Sequence, residues 1–189
     1  MQKVWLALSL LALFSPLSQA DDRLSTLGVV IDAANADTEP PAGGVTEKHW
    51  PRVGFEYTRT VWPRLDVFGG AGYHRIRVAN NAGIFPGFRF FDYRVGARQY
   101  FSARQLNGKS YFIDASVSEG WLQDSASTTG GNRRYGGWNA AFGVAKLFSE
   151  NVDMRVALGY SRMVAKVPQT FSTDVLSTVD LRMTFASRF

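Results

Sequence analysis

Val179-Asp180-Leu181-Arg182-Met183-Thr184-Phe185-Ala186-Ser187-Arg188-Phe189 closes the chain and alternates in steps of two. Val179, Leu181, Met183, Phe185 and Phe189 share one face, while Asp180, Arg182, Thr184 and Arg188 share the other. Successive side chains of a strand point to opposite sides, so the segment reads as a strand with one apolar and one charged face.

The same period extends backwards through the chain and gives eight segments separated by turn signals. They run over Arg23–Asp32, Lys48–Val61, Leu65–Val78, Phe88–Phe101, Ser110–Gln123, Arg134–Phe148, Val152–Val164 and Asp174–Phe189. The connections 33–47, 79–87, 124–133 and 165–173 are long and rich in Gly, Pro, Asn, Asp, Ser and Thr. Those at 62–64 and 149–151 are short, and 102–109 is intermediate. Long loops at one end and short turns at the other predict an up-and-down transmembrane β-barrel, all-β, with eight antiparallel strands. Its even strand number puts both termini on the short-turn, periplasmic side.

Three features decide which face meets lipid. The polar face carries charge in mid-strand: Glu56, Asp66, Asp92, Asp114, Asp153 and Asp180, with Arg52, Arg94, Arg98, Arg155, Arg182 and Arg188. Every base in this set is an arginine, whose planar fork pairs with carboxylates and holds its charge in a confined interior. Balanced charge is what a closed interior demands, and the role read for this network is structural. Aromatics also sort by strand end, with Trp50, Tyr73, Trp121, Trp138 and Tyr160 near the long loops. Trp62, Phe101, Tyr111, Phe148 and Phe189 lie near the short turns. Two such girdles match two lipid interfaces. Finally, charges on the apolar face keep to the rims: Arg75, Arg77, Arg89, Glu119 and Arg162 at one, Arg59 and Lys146 at the other.

Composition agrees. Of 189 residues 46% are hydrophobic and 14% aromatic, too apolar for a disordered chain. Only 20% are charged, and the mean hydropathy of −0.12 argues against a bundle of membrane helices. The absence of cysteine excludes a disulfide scaffold and a thiolate metal site. Two histidines cannot alone form a three-His zinc site. No metal or other cofactor is expected.

Residues 1–20 read as a secretory signal peptide. Lys3 precedes an apolar stretch from Val4 to Leu17, and Ser18-Gln19-Ala20 offers small residues at the positions a signal peptidase inspects. Residues 21–189 are then the barrel domain, and the expected location is the cell outer membrane. For an exported chain, a pI of 9.7 is no sign of DNA binding, and no nucleic-acid partner is expected.

The closing segment 179–189 resembles the C-terminal strand of bacterial outer-membrane β-barrels, by which their assembly machinery recognises them. Ser187 departs from the apolar residue more usual there. The resemblance implies that Phe185 and Phe189 carry an assembly signal and that this machinery is a partner. In size the chain is similar to the small eight-stranded group of OmpA-type anchor domains and OmpX-type barrels.

Eight strands enclose a lumen just wide enough for side chains, which argues against a water-filled porin. Three function classes follow. Gly159-Tyr160-Ser161-Arg162 faintly resembles the His-x-Ser-Asn site of lipid A deacylase barrels. Gly159 stands for the His and Arg162 for the Asn, and a hydroxyl without a base is a poor nucleophile. His74 has no Ser two residues on, and His49 lies beside Pro51 near a loop. The expectation is therefore no enzyme, with lipid A acyl hydrolysis or transfer as the alternative. A narrow conduit for small apolar molecules is the second class. For it Gly69, Gly70, Gly72, Gly136, Gly137 and Gly143 would leave hollows, although their default role is strand curvature. The third and leading class is a structural or surface-interaction barrel, working as a monomer. Its extracellular side would contact lipopolysaccharide or a partner, and Lys48, Arg75, Arg77, Arg89, Arg133 and Arg134 are the candidate phosphate contacts.

Overall fold

The computed structural model describes residues 25–37, 46–49, 51–80, 83–123, 133–165 and 175–189. The predicted signal peptide and most of the long connections 33–47, 124–133 and 165–173 lie outside them. Among the described residues there are nine strands: β1 (Ser25–Asp37), β2 (Thr46–His49), β3 (Arg52–Trp62), β4 (Leu65–Asn80), β5 (Gly83–Tyr100), β6 (Lys109–Gln123), β7 (Arg133–Ser149), β8 (Val152–Ala165) and β9 (Val175–Arg188).

They form eight staves. Both β2 and β3 pair with β4, β2 at residues 76–79 and β3 below it at residues 65–73, so the two lie end to end. Pro51, between them, has no N–H to give a ladder, which explains an interruption there. Every stave is antiparallel to its sequence neighbours, and β1 closes on β9 from Thr26↔Arg188 to Asp37↔Ser177. The predicted eight-stranded, closed, up-and-down barrel is what forms.

Two boundaries differ from the sequence reading. The connection expected over 79–87 is largely strand, because β4 and β5 continue pairing through Val78↔Phe85, Ala79↔Ile84 and Asn80↔Gly83. A register shift between Ile76 and Val78 lets the hairpin run on past the regular ladder. At the start, β1 reaches Asp37 rather than ending at Asp32.

The faces are inverted relative to a water-soluble protein. Outward side chains include Val29, Phe55, Val95, Val117, Phe142, Leu158 and Phe185, all strongly exposed. Inward ones include Glu56 and Asp66 at 0% and Arg98 at 1% exposure. An apolar wall of this extent is untenable in water, and the β1–β9 seam closes the sheet at the level of this wall, so the exterior is a lipid-facing surface. From Tyr111 to Trp121 on β6 is ten residues, about 25 Å along the membrane normal at ~3.3 Å per residue and ~40° tilt, which fits the apolar band of such barrels.

Candidate functional site

The lumen is built around one carboxylate. Glu56 projects from β3 and accepts from Arg94 Nη2 at 3.1 Å, Arg98 Nη1 at 3.0 Å and Arg155 Nη1 at 2.9 Å. Those cations come from β5 and β8, on different sides of the barrel. Arg98 also reaches Asp114 at 3.2 Å, and Arg155 reaches Asp153 at 3.2 Å. Arg94 has no other carboxylate within ion-pair distance among the described residues.

From this centre the pairs run in both directions. Toward the long loops, Asp114 meets Arg182 at 3.5 Å, and Arg182 bridges Asp180 at 3.1 Å and Asp32 at 3.4 Å. Asp32 accepts from Arg52 at 2.7 Å, and Arg52 grips Asp92 through both Nε and Nη2. Toward the short turns, Arg104 leaves the β5–β6 connection and turns into the lumen. It pairs with Asp66 at 3.1 Å, donates to Thr60 at 2.8 Å and lies over the Tyr100 ring at 4.6 Å. That connection is held by Asn107 N–H on Leu147 O at 2.8 Å.

β7 supplies none of these charges. Its inward residues Ala141, Gly143 and Ala145 are small, and the side chains of the other staves fold over them. Gly159 plays the same part for a single group: a Cβ there would collide with Asp180. The interior also holds aromatic rings. Phe68, Phe90, Tyr100, Phe112 and Tyr135 are buried, and Arg98 sits 4.8 Å from the Phe68 centroid and 5.0 Å from that of Phe112. With Glu56, Arg98 and Arg155 almost wholly buried, protein rather than a water column occupies this level of the lumen.

The sequence reading placed twelve charged residues in this interior, and the structure brings eleven of them into ion pairs. The exception is Arg188, half-buried at the short-turn end, for which no carboxylate stands in ion-pair range among the described residues. Two members were missed. Asp32 stands on the inward side of β1 with Gly28 and Val30, a signal present in the alternation. Arg104 lies in a turn, where alternation carries no information.

Above the network, toward the long loops, a cavity of about 60 Å³ is lined by His74, Asp92, Ser118, Asn139, Ser161 and Thr178 together with Asp180 and the upper arginines. His74 packs against Phe90 at a centroid distance of 4.9 Å. Asp114 and Ser116 do not line this cavity. Ser161 faces the lumen and hydrogen-bonds Thr178, while Tyr160 and Arg162 beside it face outward.

At the long-loop rim, Arg75 and Arg89 are exposed and directly opposite each other on β4 and β5. Arg75 donates to the Tyr73 hydroxyl at 3.3 Å, and among the described residues neither arginine has a carboxylate within ion-pair distance. Arg134 is different: it pairs with Glu119 at 2.6 Å and lies 6.0 Å over the Trp121 ring. Lys48 and Arg77 are register partners at the same end. Their side chains, and that of Arg133, lie outside the described residues. Phe185 is exposed on the outer face of β9, and Phe189 N–H reaches Ser25 O at 3.1 Å across the closing seam.

A closed barrel with a charged, side-chain-filled interior and an apolar belt is the architecture of the small integral barrels of the bacterial outer membrane. No protein-family model matches the sequence, and no curated protein matches it. Solved structures do match in fold. Neisserial surface protein A (NspA) is 13% identical with a TM-score of 0.68, covering 87% of this chain and 97% of that one. Ail, the attachment invasion locus protein of Yersinia pestis, is 13% identical at 0.57, covering 89% and 100%. The outer membrane protein OprG from Pseudomonas aeruginosa is 10% identical at 0.55, covering 90% and 98%. The belt embeds this chain in a membrane, and its fold is one that the bacterial outer membrane houses.

Proposed function

We propose that the protein is a non-enzymatic surface barrel whose extracellular rim binds the phosphates of lipopolysaccharide. The observation that carries this reading is the Arg75↔Arg89 pair. Two like charges directly opposite on neighbouring strands destabilise a sheet unless an anion is shared between them. Both point outward, just beyond the aromatic girdle of Tyr73, Phe91 and Trp121, at the depth of headgroup phosphates. An arginine fork suits a phosphate better than any solvating role does. The anion-binding reading also fits Ail, which was crystallised in complex with the heparin analogue sucrose octasulfate.

The non-enzymatic part is supported by Ser161, which is turned from lipid and engaged with Thr178, and by the Asp180 carboxylate filling the place beside Gly159. Titration of the folded protein with lipid A in mixed micelles tests the reading. R75Q/R89Q should weaken lipid A binding about tenfold or more, since each cation near an anionic surface contributes on the order of 1 kcal/mol. Unchanged affinity would refute the rim site. Mass spectrometry of lipid A from cells with and without the protein tests the chemistry, and altered acyl chains would restore the enzyme class.

A further inference from the structure

The opposite rim carries a second cationic pair. Lys109 begins β6 and Lys146 lies near the end of β7, and the two are register partners. Both alternate with buried neighbours, Ser110 on one strand and Ala145 and Leu147 on the other, so both face outward. Partners across an antiparallel pair have Cβ atoms about 5 Å apart, which places two ammonium groups within reach of one anion. Their surroundings are apolar: Tyr111 follows on the same face of β6, Phe148 on that of β7, and Val152 and Met154 on β8. The Lys146 ammonium sits 4.8 Å from the Phe148 centroid, which holds it against the wall.

We infer that Lys109 and Lys146 form a binding site for one anionic glycerophospholipid of the leaflet on the short-turn side. Just beyond the lower girdle, the two ammonium groups stand at phosphate depth, and an ammonium is a compact point charge suited to a phosphate oxygen. A lipid so held runs its chains along the wall above. There Ala97, Ala115 and Ala140 stand side by side on β5, β6 and β7, about 15 Å higher, half the hydrocarbon thickness. The chains cross the outward Tyr111, Ile113 and Phe142 on the way and end over this shallow strip.

The test is native mass spectrometry of the intact barrel released from detergent. Phosphatidylglycerol and phosphatidylcholine of identical chains are titrated in parallel, in an R75Q/R89Q background that removes the other rim. The expected result is one retained phosphatidylglycerol, bound about tenfold or more tighter than phosphatidylcholine. K109Q/K146Q should abolish that preference, and K109R/K146R should keep it. Equal retention of the two lipids by the R75Q/R89Q protein, or a preference that survives K109Q/K146Q, overturns the site. Should K109Q/K146Q fail to fold, the lipid preference in the R75Q/R89Q background and its survival in K109R/K146R still decide. Failure here leaves the lipopolysaccharide reading untouched, because that reading rests on different residues.

Discussion

Glu56 and Arg94 form an ion pair, yet they are not equivalent. Glu56 also holds Arg98 and Arg155, whereas Arg94 has only Glu56 among the described carboxylates. Glu56→Gln therefore strands a buried cation, at a cost of about 3–5 kcal/mol. Arginine stays charged across the accessible pH range, so acid gives no relief. Arg94→Ala leaves Glu56 with two partners and should cost distinctly less. Urea unfolding in lipid vesicles, at neutral pH and near pH 4, measures both. Equal losses, or a Glu56→Gln protein restored by acid, would contradict the asymmetry. Alternation along β3 and β5 tells which side each residue takes. It says nothing of who meets whom across the lumen.

The two faces of β5 make the case at the level of the strand. Val95 is 47% exposed on the outer wall, and Arg94 beside it is 4% exposed within. Val95→Arg puts a charge on the lipid face near the midplane, at about 2–4 kcal/mol. The same vesicle unfolding measurement reads it, and a variant as stable as the parent would mean that this wall is not in hydrocarbon. Period-two patterning made the strands and their faces legible, because lipid outside and charge inside impose opposite chemistries on neighbouring residues. It failed where pairing continues without that contrast. Residues 79–87 look like a loop in composition, with Asn80, Asn81, Gly83, Pro86 and Gly87, yet the hairpin ladder runs through much of them. The break at Pro51 was visible as a proline, but its consequence, two strands on one stave, depended on β4 continuing upward.

For the molecule as a whole, the lengths of the connections predict its orientation. Gln123 ends β6 at the long-loop side, and Gln105 lies exposed in the turn at the other. A cysteine at Gln123 should react with an impermeant thiol reagent on intact cells, and one at Gln105 only after the outer membrane is permeabilised. The opposite pattern would turn the barrel over and exchange the ligands assigned to its two rims. Architecture was readable over the entire described chain, since every stave repeats the same instruction. The closure of the lower lumen was not. It depends on Arg104, a single side chain in a connection whose composition announces only a turn.

The pairs around Glu56 join positions far apart in sequence. Arg155 bonds Glu56 across 99 residues and Thr26 across 129. Other pairs need no such reach: Arg98 with Asp114 joins neighbouring strands, and Arg155 with Asp153 and Arg182 with Asp180 lie within one strand each. An open sheet would therefore keep its short-range pairs and lack only the bonds that cross the lumen, those of Arg155 to Glu56 and Thr26 among them. Those crossing bonds act as struts, tying the first strands of the chain to the last across the interior.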